Sequence, residues 1–144
     1  MAHKVIDESS WHDSIVHQGP EGWVLRLEGT VGQLSVEDGL RLLLGTGVEI
    51  LIQDPFHLKQ DGSDELIRLS SPSGTHAARQ LLDQTLQRAY ASWHGSLHMS
   101  FGKEGQAELT LIAGPGSWHI NLPGGSQCWA IEGGGIGLFP PRIS

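Results

Sequence analysis

The chain has 144 residues, which suits one ordinary domain with a core of its own. Sixteen acidic against nine basic side chains give a formal charge of −7 at pH 7. This balance disfavours binding to nucleic acid or to an anionic membrane, because both carry negative charge, and it favours a basic protein partner. The single cysteine, Cys128, excludes an internal disulfide, and its apolar neighbours indicate a buried structural thiol.

The start of the chain indicates where the protein works. The residues that follow Met1 form no apolar stretch of the kind found in a signal peptide. The sequence also has no run of about eighteen apolar residues that could span a bilayer. We therefore expect a soluble, cytoplasmic protein.

Residues 1–22 are polar and mixed, and they predict an N-terminal arm that precedes a single mostly-β domain over residues 23–144. Trp11 and Ile15 lie four residues apart, a spacing that suits one helical turn. From Trp23 to Leu27 every second residue is a large apolar one, which predicts a half-buried strand.

Two stretches then predict three-stranded antiparallel meanders. In the first, Asp38-Gly39 favours a hairpin turn, Gly45-Thr46-Gly47 turns the chain again, and Pro55 ends the pairing. The second stretch repeats this order of stops: Gly95 matches Gly39, Gly102 matches Gly45, Gly105 matches Gly47 and Pro115 matches Pro55. We interpret residues 31–55 and 88–115 as an internal repeat. The alternative is that any two hairpins look alike.

One amphipathic helix is predicted between the meanders, over about residues 76–88, with Ser73 or Thr75 as a possible N-cap. The residues with helical spacing are Ala78, Leu81, Leu82, Thr85, Leu86 and Ala89. After the second meander, residues 118–122, the turn Pro123-Gly124-Gly125 and residues 127–131 predict a hairpin. The fold we predict is mostly β (α+β): two related antiparallel β-meanders plus a C-terminal hairpin, forming a sheet or half-open barrel with one helix.

The tryptophans divide into core and surface candidates. Trp23, Trp118 and Trp129 fit inward strand positions. Trp11, in the polar arm, and the neighbours Trp93 and His94, at a turn, are candidates for a partner-binding surface, because tryptophan is enriched at interface hot spots. Core or partial burial of the two tryptophans is the alternative.

The eight histidines raise the question of a metal site. Strand parity places His98 and His119 on the faces opposite to their apolar neighbours. If those faces converge, His94, His98, Glu108 and His119 could ligate one divalent metal ion, such as zinc or iron. The alternative, which we favour, is a set of solvent-facing polar positions and a protein without a cofactor.

Residues 114–119 and the turn at 122–125 resemble the cupin family of metal-binding β-barrels. The resemblance implies a small-molecule or metal-binding barrel of isomerase or lyase type. The usual first cupin motif needs two histidines one residue apart and a glutamate a few residues on. Here only His98 stands near Glu104, and Cys128-Trp129 replaces a histidine expected later.

A second resemblance covers residues 22–129. It is carried by Asp38-Gly39-Leu40, Asp54-Pro55-Phe56, Asp61-Gly62, residues 95–101 and Trp118-His119-Ile120, in this order. The succession resembles a family of small, uncharacterised, chiefly actinobacterial proteins, domain of unknown function 6188. His94 departs from the pattern, which has an aspartate before Gly95. The resemblance implies the fold and a bacterial source, and it leaves the function open.

Signatures of nucleophilic catalysis are lacking in the sequence, since residues 114–118 lack the final glycine of a Gly-x-Ser-x-Gly elbow. The sequence therefore favours a non-catalytic protein-binding module, an acidic immunity-type or accessory protein, over an enzyme. Self-association through an exposed edge strand is compatible with this hypothesis. The alternative is the cupin-like barrel with one divalent metal ion.

Overall fold

The computed structural model describes residues 16–20, 22–53, 55–60, 62–102, 106–111, 117–131 and 136–139. Within these ranges the protein is mostly β, with one helix, and this confirms the predicted fold class. The strands are β1 (Val16–Gln18), β2 (Gly22–Leu25), β3 (Gly29–Ser35), β4 (Leu40–Leu44), β5 (Glu49–Ile52), β6 (Phe56–Gln60), β7 (Ser63–Ile67), β8 (Thr85–Ser92), β9 (Leu97–Phe101), β10 (Ala107–Leu111), β11 (Trp118–Asn121), β12 (Gln127–Ala130) and β13 (Ile136–Phe139). The helix α1 spans Pro72–Arg79.

The thirteen strands form one antiparallel sheet in the order β13-β12-β11-β5-β4-β3-β8-β9-β10-β6-β7, while β2 pairs with β8 and β1 with β2. The order ends on two different strands, β13 and β7, which do not pair with each other within the described residues. The architecture is therefore an open sheet. This architecture differs from the barrel that the resemblance to the cupin family implies.

Both predicted meanders are present, as β3-β4-β5 and as β8-β9-β10. They meet where Gly29 and Thr30 of β3 pair with Leu86 and Thr85 of β8. Each meander is then extended by strands from the other half of the chain: β6 pairs with β10, and β11 pairs with β5. The same order of pairings thus occurs on both sides of the β3–β8 junction, while duplication of the sequence itself stays a prediction.

The core follows from strict alternation along the central strands. In β4, Leu40, Leu42 and Leu44 are buried, and the residues between them are only half-buried. In β9, Leu97, Met99 and Phe101 show the same pattern. All these side chains belong to a single hydrophobic cluster, so both halves of the sheet cover one core.

The predicted helix is displaced and too long. It begins at Pro72, with the Ser71 hydroxyl accepting a hydrogen bond from the Gly74 N–H at 3.0 Å, and it ends at Arg79 instead of about residue 88. Residues 85–92 form β8. A register shift between Leu86 and Arg88 breaks the alternation of this strand, so Leu86 and Ala89 are both buried although they lie three residues apart. A β-bulge therefore produced the spacing that indicated a helix.

The N-terminal arm is described only from residue 16. Residues 16–18 of the predicted arm form β1, which pairs with β2 in the register Gln18–Trp23. Trp11 and Ile15 lie outside the described residues. Within the described part of the chain, no helix has the length and apolar character needed to cross a bilayer.

Candidate functional site

In the part of the chain that the structure describes, three surfaces bring together the predicted site residues and other polar or aromatic side chains. The first, the turn surface, consists of Trp23, Trp93 and His94 around the β8–β9 turn. The second, the cross-strand groove, crosses the outer face of β8, β9, β10 and β6. The third, the polar row, lies on the outer face of β4, β5, β11 and β12.

The turn surface depends on the close approach of β2 to β8. Gly22 pairs with Ser92, and a Cβ atom at Gly22 would lie 2.1 Å from the carbonyl oxygen of Ala91. Glycine therefore allows this approach, which a larger residue would prevent. The pairing brings Trp23 against Trp93 with ring centroids 5.5 Å apart in an edge-to-face arrangement. Trp93 keeps 44% of its surface exposed.

The β8–β9 turn is held by a set of hydrogen bonds. The Ser92 N–H donates to the Ser96 carbonyl at 2.9 Å, and the Gly95 N–H donates to the Ser92 carbonyl at 2.8 Å. Gly95 has φ of 91°, in the left-handed region that glycine adopts without steric cost. The Trp118 indole N–H donates to the buried Gly95 carbonyl at 2.8 Å. The exposed Trp93 ring is therefore presented by a turn that is anchored to the core.

The predicted partner-binding residues can now be placed. Trp93 and His94 are neighbours in this turn, and both side chains are exposed. Trp11 lies outside the described residues. The assignment of these residues to partner binding stays a prediction.

The cross-strand groove consists of two clefts that share Glu108 and Thr110. The first has a volume of about 300 Å³ and the second about 250 Å³. The side chains that line the first from the outer face are Arg88, Tyr90, His98, Ser100, Glu108 and Thr110. The second adds His57, Lys59 and Asp64. Both clefts lie on one face of adjacent strands, so together they extend across β8, β9, β10 and β6.

A stack of three side chains forms one end of the groove. The Tyr90 and His98 rings are stacked with centroids 4.5 Å apart and planes at 12°. The guanidinium carbon of Arg88 lies 5.8 Å from the centre of the Tyr90 ring, within cation–π range. The Nε2 atom of His98 lies 3.0 Å from the Ser96 hydroxyl. These contacts restrict the orientations of Arg88 and His98.

The structure separates the predicted metal ligands. His98 and Glu108 line the same cleft. His94 lies in the β8–β9 turn, and His119 lies on β11 in the other half of the sheet. Within the described part of the chain, no three His, Cys, Asp or Glu residues are grouped so that they could hold one metal ion.

The polar row begins with a carboxylate that has two partners. Glu49 forms an ion pair with Arg41, and its Oε1 accepts a hydrogen bond from Asn121 Nδ2 at 2.7 Å. The Asn121 hydrogen bond, followed by that from Arg41, lowers the pKa of Glu49 below its ordinary value. The charges of Arg41 and His119 act in the same direction, while partial burial opposes them.

The polar row continues across β11 and β12. His119 Nε2 lies 2.8 Å from Gln127 Oε1, and the His119 ring stacks on Trp129 with centroids 5.7 Å apart. Trp129 was predicted to face inward, and this is wrong: neighbouring strand residues face opposite sides, and Cys128 takes the buried position. Trp129 instead covers Gly137, where a Cβ atom would lie 2.5 Å from the indole ring.

Cys128 is buried, as the sequence predicted. Burial raises the pKa of its thiol to about 12, because the apolar surroundings disfavour the thiolate. A thiol in this state is a poor nucleophile at neutral pH. The structure therefore places Cys128 in the core and not in a reactive site.

Sequence reasoning missed the groove. The sequence pattern places Arg88 at the end of the predicted helix, so it gives no indication that Arg88 lies on a sheet face beside Tyr90 and His98. His57 and Lys59 alternate with the buried Phe56 and Leu58, but only the long-range pairing of β6 with β10 brings them beside Glu108. The local signals were the alternation of polar side chains in β6 and β10 and the strand parity that placed His98 on an outer face.

The fold and these surfaces define a small open-sheet antiparallel β protein, with an exposed aromatic turn and a polar groove on its outer face. The chain belongs to a family of unknown function, DUF6188, whose model matches residues 23–139. No curated protein and no solved structure shows a significant match to it.

Proposed function

We propose that this protein is a non-catalytic protein-binding module of the cytoplasm, an acidic immunity-type or accessory protein, and that it binds a basic partner protein through the turn surface. The observation that carries the proposal is the exposed Trp93 ring on a turn fixed by Trp118. A rigid aromatic side chain loses little conformational entropy on binding, so it is an effective interface anchor.

Charge indicates the kind of partner. The formal charge of −7 gives the protein a negative field that attracts a basic protein and speeds its association. The same charge disfavours a second copy of this chain as the main occupant of the turn surface. The proposed partner is therefore a different, basic protein.

The test compares two single substitutions of equally exposed side chains. Trp93 and Leu82 both have 44% of their surface exposed, and Leu82 lies away from the β8–β9 turn. The wild-type protein, Trp93→Ala and Leu82→Ala are immobilised and used to capture partners from the native lysate, with quantification by mass spectrometry. We expect a basic protein in stoichiometric amount on wild type and on Leu82→Ala, with at least about a tenfold loss on Trp93→Ala.

Two results would contradict the proposal. One is the capture of no stoichiometric partner by the wild-type protein. The other is a captured protein that is retained equally by both variants, because the turn surface would then not be its binding site. A captured protein that proves to be a second copy of this chain would replace the basic partner with self-association.

A further inference from the structure

The cross-strand groove has an ordered pattern of charge that follows from strand register. In the strand register, Arg88 lies opposite Ser100, Ser100 opposite Glu108, and Glu108 opposite Lys59. Lys59 in turn lies opposite Asp64 on the edge strand β7. The row across the sheet therefore reads cation, hydroxyl, anion, cation, anion.

The central charges of this row are not paired with each other. Glu108 and Lys59 face each other in register, yet within the described residues neither has an ion-pair or hydrogen-bond partner. The contact that the structure shows for Arg88 is with the face of the Tyr90 ring, which leaves the guanidinium N–H groups for an anion. Both kinds of charge are thus available in one cleft.

This distribution selects the charge type of a ligand. A simple anion that binds Arg88 meets the Glu108 carboxylate in the same cleft, and a simple cation that binds Glu108 lies between Arg88 and Lys59. Like charges that lie in one small cleft repel each other. A molecule that carries one charge of each sign can satisfy Glu108 and Arg88 together.

Size narrows the ligand further. The first cleft, at about 300 Å³, is at the lower end of the range for small-molecule sites. Arg88 and Glu108 are separated by two strand spacings, about 10 Å between backbones, and their long side chains can close on a compact molecule. Arginine binds a carboxylate through two parallel hydrogen bonds, and Ser100 and Thr110 add hydroxyl groups to the wall.

We propose that the cross-strand groove binds a small zwitterion of amino-acid type, with its carboxylate on Arg88 and its ammonium group on Glu108. A free amino acid fills the first cleft. A dipeptide carries the same two charges farther apart and spans the same cleft from Arg88 to Glu108. This site is separate from the turn surface, and Trp93→Ala leaves it unchanged.

The first step of the test is calorimetric titration of the full chain with each free L-amino acid and with dialanine. We expect saturable binding by at least one of these probes. Tighter binding of free amino acids than of dialanine indicates a short spacing between the two charges of the ligand, and tighter binding of dialanine indicates a longer one. Saturation by none of them would overturn the proposal.

The second step uses probes with a single charge. The amine and the carboxylic acid that correspond to the best zwitterion are titrated into wild type, Arg88→Gln and Glu108→Gln. We expect each substitution to weaken zwitterion binding at least about tenfold, since each removes a charge-assisted hydrogen bond. The residual binding of the amine should fall only in Glu108→Gln, and that of the acid only in Arg88→Gln. A merely structural role of either residue would not produce this crossed pattern.

Matched controls remove the same charges elsewhere. Glu65→Gln, on β7, and Arg79→Gln, on α1, change exposed side chains that line neither cleft. We expect both to bind the zwitterion as wild type does. Equal losses in the controls and in the groove variants would show a general charge effect and would overturn the assignment. Thermal unfolding of every variant identifies any loss that is caused by misfolding.

Discussion

At the scale of single residues, Glu49 shows how neighbours on a sheet face set the state of one charge. Its strand, β5, lies between β4 and β11, so it receives Arg41 from one side and Asn121 from the other. Both partners stabilise the carboxylate form. The arrangement makes stability depend on pH through a side chain that is only half-buried.

The first prediction concerns this pH dependence. Since the pKa of Glu49 is lowered from 4.5 in the folded protein, its stabilising contribution is present above pH 4.5 and is lost as pH falls through the folded pKa. The free energy of unfolding of wild type should therefore exceed that of Glu49→Gln most at neutral pH, and the difference should shrink in acid. Urea unfolding of both proteins between about pH 7 and pH 3 measures this.

Asn121→Ala provides the companion experiment, because Asn121 is the largest cause of the lowered pKa. The carboxyl pKa of Glu49, followed by NMR titration, should rise in this variant. A wild-type pKa at or above the ordinary 4.5 would contradict the assignment. So would a stability difference between wild type and Glu49→Gln that does not vary with pH.

At the scale of elements, the β8–β9 turn links the two halves of the sheet. Trp118 starts β11, which pairs with β5, yet its indole N–H bonds Gly95 at the opposite meander. The bond crosses the common core, where the Gly95 carbonyl is out of reach of water. The β8–β9 turn is thus held in place by a residue that lies outside the hairpin, Trp118.

The second prediction follows from this bond. Trp118→Phe keeps an aromatic ring but removes the N–H donor, so the buried Gly95 carbonyl loses its partner. We expect the free energy of unfolding to fall by about 1–3 kcal/mol or more, because this is the usual cost of a buried carbonyl without a hydrogen-bond partner. Urea unfolding of Trp118→Phe beside Trp93→Phe, an exposed control, measures the difference. Equal effects of the two substitutions would show that the buried hydrogen bond contributes nothing.

Helices and strands could be predicted from the sequence where residues close in the chain determine their ends. Turn glycines such as Gly39 and Gly95 adopt positive φ, so the hairpins that they close could be placed correctly. The helix could not be placed, because the bulge at Leu86 imitates helical spacing and because the helix is capped by Ser71, which precedes both predicted caps, Ser73 and Thr75. A bulge depends on the partner strand, which a single strand's sequence does not reveal.

Of the candidate surfaces, too, one could be predicted from the sequence and another could not. Trp93 and His94 could be predicted as a pair, because they are neighbours in the chain next to a turn glycine. The groove could not, since Glu108 and Lys59 meet only through pairing of strands from different halves of the chain. Polar alternation in one strand indicates which of its side chains share a face. The side chains that lie next to them on that face depend on which strands are paired, and the sequence of one strand does not show this.

At the scale of the whole molecule, the exchange of strands makes the two halves interdependent. The first meander has β11 as its outer neighbour, and the second has β6. Neither half can complete its sheet from its own half of the chain. Since the buried side chains also form a single cluster, we expect the described strands to unfold as one cooperative unit.

The third prediction tests this cooperativity with one core substitution in each half. Leu42 on β4 and Leu109 on β10 are both fully buried. Leu42→Ala and Leu109→Ala should each lower the free energy of unfolding by about 2–5 kcal/mol, through lost burial and the cavity left behind. Far-ultraviolet circular dichroism and tryptophan fluorescence should report the same single transition in each variant, shifted as a whole. If the halves unfolded independently, the strands exchanged between them would not couple their stabilities. Each substitution would then shift only part of the signal and split the transition in two.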